Sequence, residues 1–293
     1  MRNLDVWYAR IHVEDVIRDF RARATAEQRK RMEKNLAKAR TKDSLKAFAK
    51  LTEIVDGVPR IVSDPPLLVP IEDLAGPDGA TTFVDGFREL LRQYRASLPI
   101  DRRRLLERFR YGHAARKVVG VGSVGTRAWV VLMLGRDNED PLFLQAKEAQ
   151  PSVLEPFLGR SEFSNHGQRI VEGQRLMQAA SDILLGWLHT TGLDGVERDF
   201  YVRQLWDAKG SAIIEAMEPN AMTAYGGLCG WTLAKAHARS GDAVAIASYL
   251  GSGKVFDRAV AAFAEAYADQ NERDYASLKA AVESGRVKAE VGL

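Results

Sequence analysis

Cysteine is almost missing from this chain. Cys229 stands alone among 293 residues, so no internal disulfide can form, which fits a reducing, cytoplasmic setting. Long apolar runs are missing too: no window approaches the ~20 apolar residues a membrane-spanning helix needs. The opening residues, Met1-Arg2-Asn3-Leu4-Asp5, lack the apolar stretch of a secretory signal, so the chain reads as soluble. There is little excess charge of either sign. Forty-two Lys and Arg against 39 Asp and Glu leave a net +3, which gives no reason to expect a nucleic acid or an anionic membrane as partner. Histidines are few, and His12, His113, His166, His189 and His237 show no metal-ligand spacing. Cys229 lies in the apolar stretch GGLCGW and reads as a buried small hydrophobe rather than a nucleophile.

What is present is ordinary globular composition, 46% apolar and 28% charged. Residues 13–53 read as helix from their apolar spacing and their Ala, Lys, Arg and Glu content. The basic run from Arg21 to Lys42 is broken by Glu27 and Glu33, so it reads as a solvated face. Asp56-Gly57 predicts a turn between short extended runs. Asp64-Pro65-Pro66 and Gly76-Pro77-Asp78-Gly79 predict loops. Helices are expected over 81–98 and 101–110. The pattern then changes to strands: ARKVVGV, TRAWVVLML and PLFLQAKEA, then a helix at about 167–183, then ILLGWLH and DFYVRQLW. From Thr223 onward the chain reads as mainly helical, with LAKAHARS as a core helix and a capping turn. Asp269, Asn271 and Asp274 read as a solvated helix face. The fold class expected is α+β, a small antiparallel sheet with one packed helix and flanking helical regions. The expected regions are a mainly helical 1–110, a sheet region at 111–210 and a helical 211–293.

The sharpest motif is the glycine-rich turn Gly120-Val121-Gly122-Ser123-Val124-Gly125. Glycines at this spacing let backbone approach a phosphate, with N–H groups aimed at anionic oxygens. A dinucleotide site needs a helix straight after the glycines, but Thr126–Leu134 favours a strand. A Walker loop needs Gly-Lys-Ser/Thr at its end, and Gly125-Thr126-Arg127 does not supply it. A kinase-type loop needs strand, glycines, strand, and then a lysine on the following strand. Lys147 sits there. An ammonium among apolar neighbours needs an anionic partner, and a nucleotide phosphate together with Glu172 on the next helix would provide one. Glu148 and Glu155 are nearer in sequence but less suited to face the strand. A plain hairpin with an edge lysine reaching water is the competing reading. Ser123 has no neighbouring base and is suited to donate to a phosphate. Asp207 and Lys209 lie where a hinge would be expected.

KVVGVGSVGTRAWVVLMLG, PLFLQAKEAQPSVLE, NHGQRIVEGQRLMQAASDILLGW and FYVRQLWDAKGS, with LAKAHARSGD and FAEAYADQNERDY, resemble the bacterial family called domain of unknown function 2252. That family looks related to protein kinases and aminoglycoside phosphotransferases. The resemblance implies a kinase-like small lobe, with Gly120, Gly122 and Gly125 over the phosphates, Lys147 as the phosphate lysine and Glu172 as its partner. It implies ATP and Mg2+ as cofactors and an unidentified phosphate acceptor. Longer members carry a Gly-Asp-x-His-x-x-Asn-Phe-Gly stretch and an Asp-Phe-Asp ahead of the point where this chain begins. Residues 1–293 match neither. His237 to Asp242 looks like a catalytic loop at first sight, but no asparagine follows at suitable spacing. The expectation is a kinase-like, nucleotide-binding protein of phosphotransferase ancestry whose catalytic loop is missing from this chain, either lost by truncation or supplied by a separate polypeptide. Alternatives are a non-catalytic nucleotide-binding or interaction protein, or a truncated remnant.

Overall fold

The computed structural model describes residues 2–12, 14–18, 27, 29–30, 33–34, 44–118, 120, 125–205 and 212–289, with side chains at 76–85 and 216 left aside. Much of the predicted 13–53 helix, and with it most of the basic run, lies outside the described residues. Residues 14–18 are helical. The named elements begin with α1 (Asn3–Tyr8) and α2 (Ser44–Leu51). A hairpin of β1 (Thr52–Val55) and β2 (Val58–Ile61) turns at Asp56-Gly57 as predicted. Both turn residues take positive φ, 50° and 78°, the mirror-image turn that matches strand twist.

Next come β3 (Leu68–Pro70), α3 (Ile71–Ala96) and α4 (Ile100–Leu106). The loop expected at 76–79 is instead part of α3. Pro77 removes one intrahelical hydrogen bond, and the apolar face of residues 87–98, buried at Phe87, Tyr94 and Leu98, holds the later turns against the sheet. The strands β4 (Arg110–Lys117), β5 (Ala128–Leu134) and β6 (Pro141–Ala149) follow. The short α5 (Glu155–Leu158) and α6 (His166–Met177) cross over to β7 (Gly186–Thr191) and β8 (Glu197–Gln204). β4 starts before the predicted strand because Arg110 and Tyr111 pair with Leu134 and Met133, with a bulge between Tyr111 and His113. The chain is therefore α+β.

The six-stranded sheet runs β3-β4-β5-β6-β8-β7 and is antiparallel throughout. β5 reads WVVLML without alternation because both of its faces are covered. Val130, Leu132 and Leu134 pack with Ala47, Leu51 and Ile61 of α2 and the hairpin. Val131 and Met133 pack with Phe87, Tyr94 and Leu106 of α3 and α4. Val130, Leu132 and Leu134 are each 0% exposed, and burial of such a side chain stabilises by about 1.5–3 kcal/mol.

By internal contacts the chain divides into residues 1–236 and residues 237–293. The later helices are α7 (Pro219–Ser240), α8 (Ala243–Leu250) and α9 (Val255–Glu283). Two expectations fail in α7. It is not a core helix, since it has no buried residue and Leu233 is 59% exposed, and Cys229 is exposed rather than buried. Its alanines favour helix by propensity alone. Asp242 caps α8 by accepting from the N–H groups of Val244 and Ala245.

Candidate functional site: the β4–β5 turn and Lys147

The glycine turn joins β4 to β5. Gly122 and Ser123 lie outside the described residues. Gly120 is exposed, and Gly125 takes φ +84°, a conformation that favours glycine. Among the described residues, leaving out each glycine's chain neighbours, no heavy atom lies within 4 Å of a Cβ built at either position. A strand, β5, follows the turn, and a helix-first dinucleotide arrangement is excluded.

Lys147 stands on β6 directly opposite Ala128, the first residue of β5. Its place is set by period two. Phe143, Gln145, Lys147 and Ala149 face one side of the sheet, and Leu142, Leu144 and Ala146 the other. Lys147 is half-buried, not projected wholly into water. Its neighbour across β8 is Tyr201, and Tyr201 pairs in turn with Trp187 of β7. The Arg175 guanidinium of α6 lies 5.8 Å from the Trp187 ring centroid. So α6 covers the face that carries Lys147, two strand spacings, or about 10 Å, away at Trp187.

Glu172, on α6, is paired with Arg175 at 3.0 Å one turn along the same helix. It also lines a shallow hollow of about 480 Å³ with Ser161, Phe163, Gln168 and Arg169. A larger cavity, about 700 Å³, opens on the opposite face of the sheet from Lys147, under α3. Asp207 and Lys209 lie outside the described residues. Among the described residues no group of three or more His, Cys, Asp or Glu is placed to hold a metal ion. No described helix is long and apolar enough to cross a membrane.

Three polar clusters around the sheet were not visible in the sequence. The first fixes the exit of the glycine turn. The Glu148 carboxylate, 7% exposed, accepts from the Arg127 N–H at 2.9 Å and lies 3.4 Å from the Arg127 guanidinium and 3.7 Å from that of Arg198. Asp194 completes the group, 3.1 Å from Arg127 and 2.6 Å from Arg198. The Arg198 hydrogen bond holds the Asp194 carboxyl well below the usual carboxylate range. Two positive and two negative side chains thus balance.

The second cluster seats α6. Asp199, 9% exposed, accepts from Asn165 Nδ2 at 2.8 Å, from the His166 N–H at 2.7 Å and from His189 Nδ1 at 2.7 Å. Asn165 is the N-cap of α6, its Oδ1 accepting from the Gln168 N–H at 2.8 Å. The hydrogen bond to Asp199 raises the His189 pKa above its ordinary value, against a smaller opposing effect of burial. The third cluster joins the hairpin to β4. Ile61 N–H donates to His113 Nδ1 at 3.0 Å, so the ring proton sits on Nε2, 3.0 Å from both Glu72 oxygens. Apart from the local pairs Asn165–Gln168 and Asp194–Arg198, partners in these clusters lie 10 to 67 residues apart, and the fold of the sheet brings them together.

No curated protein matches the sequence, and no solved structure matches it. The sequence does match the family described as "Uncharacterized protein conserved in bacteria (DUF2252)" over residues 1–281. With that match extending over nearly all of its length, the chain belongs to the DUF2252 family.

Proposed function

We propose that this protein binds the phosphates of a nucleotide, ATP with Mg2+, at the β4–β5 turn, with Lys147 as the phosphate-binding cation and the turn's backbone N–H groups as donors. The observation that carries the reading is the placement of Lys147. It lies opposite the first residue of β5, half-buried, on the sheet face that α6 covers. The order of parts supports it as well: strand, glycine turn, strand, lysine-bearing strand, then a helix with a glutamate, which is the order of a kinase small lobe. The absence of described atoms within 4 Å of a Cβ at Gly120 or Gly125 is consistent with close approach of a phosphate to the backbone. Mg2+ would arrive held largely by the nucleotide, as it commonly does in such sites. On this reading Glu172 exchanges Arg175 for Lys147 when nucleotide binds. Gly122 and Ser123, which lie outside the described residues, belong to the same proposed phosphate-binding motif, with Ser123 as a donor to a phosphate.

Transfer of the phosphoryl group to an acceptor requires in addition a catalytic aspartate and metal-binding carboxylates. The family resemblance assigns these to a stretch that residues 1–293 do not match, and phosphate binding is the part of that reaction proposed for the residues described above.

The test is a melting curve with and without Mg-ATP. A native-state ligand at about a hundred times its Kd adds about 2.7 kcal/mol, a rise of roughly 5–10 °C for a domain of this size. Lys147→Met should remove most of that rise while leaving the far-ultraviolet circular dichroism unchanged. No rise in the wild type refutes nucleotide binding; an equal rise in both proteins refutes the role of Lys147.

A further inference from the structure

The cavity of about 700 Å³ under α3 has walls of a different chemistry from the lysine face. Its floor includes Val131 of β5, Leu144 and Ala146 of β6 and Val202 of β8, and its roof includes Phe87 and Leu91 of α3. No lysine or arginine is among the described lining residues. The carboxylate at its margin, Glu89, is already held by Arg92 at 2.9 Å. The ring of His189 at the rim is held by Asp199 at 2.7 Å.

These facts decide what can occupy the space. Filled with water, it would hold roughly twenty molecules at ~30 Å³ each, and the walls offer them few hydrogen-bond partners. Left empty, the facing side chains lose their dispersion contacts. An anion would find no uncommitted cation along the described lining, and burying its charge unpaired is costly. The volume lies within the range of small-molecule sites, about 300–1,000 Å³, which are mostly apolar with a few polar groups at the edge. We infer that the cavity between α3 and the sheet is a binding site for a neutral, predominantly apolar small molecule. It is separate from the proposed nucleotide site, because Ala146 and Lys147 are consecutive residues of one strand and face opposite sides.

The experiment is a fluorescence titration of the full chain with N-phenyl-1-naphthylamine, a neutral apolar probe. Saturable, one-to-one binding with a blue-shifted emission is expected. Ala146→Phe, which places a ring in the space, and Leu188→Gln, which makes one wall polar, should each weaken binding by about tenfold, equivalent to about 1.4 kcal/mol. The paired change Phe263→Ser and Tyr267→Ser, at exposed positions of α9, should leave the titration unchanged. Should either interior variant fail to fold, competition on the wild type decides: 1-dodecanol displaces the probe at least about tenfold better than laurate, because an unpaired carboxylate is disfavoured in the cavity. Three results would overturn the inference: no saturable binding to the wild type, binding unaffected by the interior variants but lost with the α9 pair, or equal competition by alcohol and acid.

Discussion

Replace Gly167 by alanine and the new Cβ falls 2.3 Å from the carbonyl oxygen of Phe200 and 2.7 Å from its carbonyl carbon. Both atoms belong to the backbone of β8, an inner strand bonded to β6 on one side and β7 on the other, so they have little freedom to retreat. Ordinary contact needs about 3.5 Å, and α6 must therefore lift from the sheet by about 1 Å. Alanine's helix propensity returns at most ~1 kcal/mol, whereas overpacking of this kind costs about 1–3 kcal/mol. Lifting also stretches the 2.7 Å bond from the His166 N–H to Asp199, a loss of about 1 kcal/mol. The expected net effect is destabilisation by about 1–3 kcal/mol. Gly173, two turns along the same helix, gives the opposite sign: its Cβ would meet nothing within 4 Å, so Gly173→Ala should stabilise by up to ~1 kcal/mol. Urea unfolding followed by circular dichroism measures both, and a shift of midpoint at unchanged slope isolates stability. A Gly167→Ala midpoint at or above the wild type, or a Gly173→Ala midpoint that falls as far, would refute the packing of α6 on β8.

Tyr94 is 2% exposed and its hydroxyl donates to the Leu184 carbonyl; Tyr94→Phe leaves that carbonyl unpaired in the core and should cost about 1–3 kcal/mol, so an unchanged thermal midpoint would contradict the bond. His189 has a raised folded-state pKa because its ring is hydrogen-bonded to Asp199. Its contribution is then fully present below the unfolded value, about 6.5, and is lost as pH rises through the higher folded value. Thermal midpoints measured from pH 6 to pH 9 should fall more steeply for the wild type than for His189→Gln, and the difference should shrink in high salt because the ring is half exposed. Parallel curves would remove the linkage.

Local rules carried the reading of the sequence a long way. Asp56-Gly57 gave its hairpin because two successive positive-φ residues suit that turn. PLFLQAKEA became β6 with the predicted bounds, since apolar and β-favouring residues were flanked by turn signals on one side and Gln150-Pro151 on the other. Where the reading failed, tertiary contacts decided. Gly76 to Gly79 joined α3 because packing downstream outweighed local breakers. Arg110 to His113 joined β4 because β5 supplied partners. β3 was missed because three residues, Leu68 to Pro70, carry no periodicity, and only their register with Ala115, Arg116 and Lys117 makes them a strand. The place of Lys147 on β6 was legible from the strand pattern of PLFLQAKEA. The ion pair of Glu172 with Arg175 was not, because the alternatives available to a glutamate three residues from an arginine on a helix depend on which way the helix is rotated over the sheet. The apolar cavity was illegible for a related reason: its walls come from one helix and four strands, and no single segment of the sequence signals a gap between them.

The polar clusters show how the position of Lys147 is fixed. A strand residue moves only if its neighbours move, and those of Lys147 are Ala128 and Tyr201. Ala128 follows Arg127, whose backbone and guanidinium are held by Glu148 on the reverse face. Tyr201 lies two residues from Asp199, which holds the first turn of α6. The strand, the exit of the glycine turn and the helix above are thus tied together by buried charges and hydrogen bonds that are expensive to break. Such groups add little net stability over well-packed apolar residues, so their effect lies in specifying one arrangement. For the phosphate-binding role proposed for Lys147 that matters directly, because the entropy of ordering the side chain's surroundings has been lost on folding and is not lost again on binding. The described lining of the cavity under α3 includes no lysine or arginine, and apolar contact, which is non-directional, is the kind of recognition it can offer.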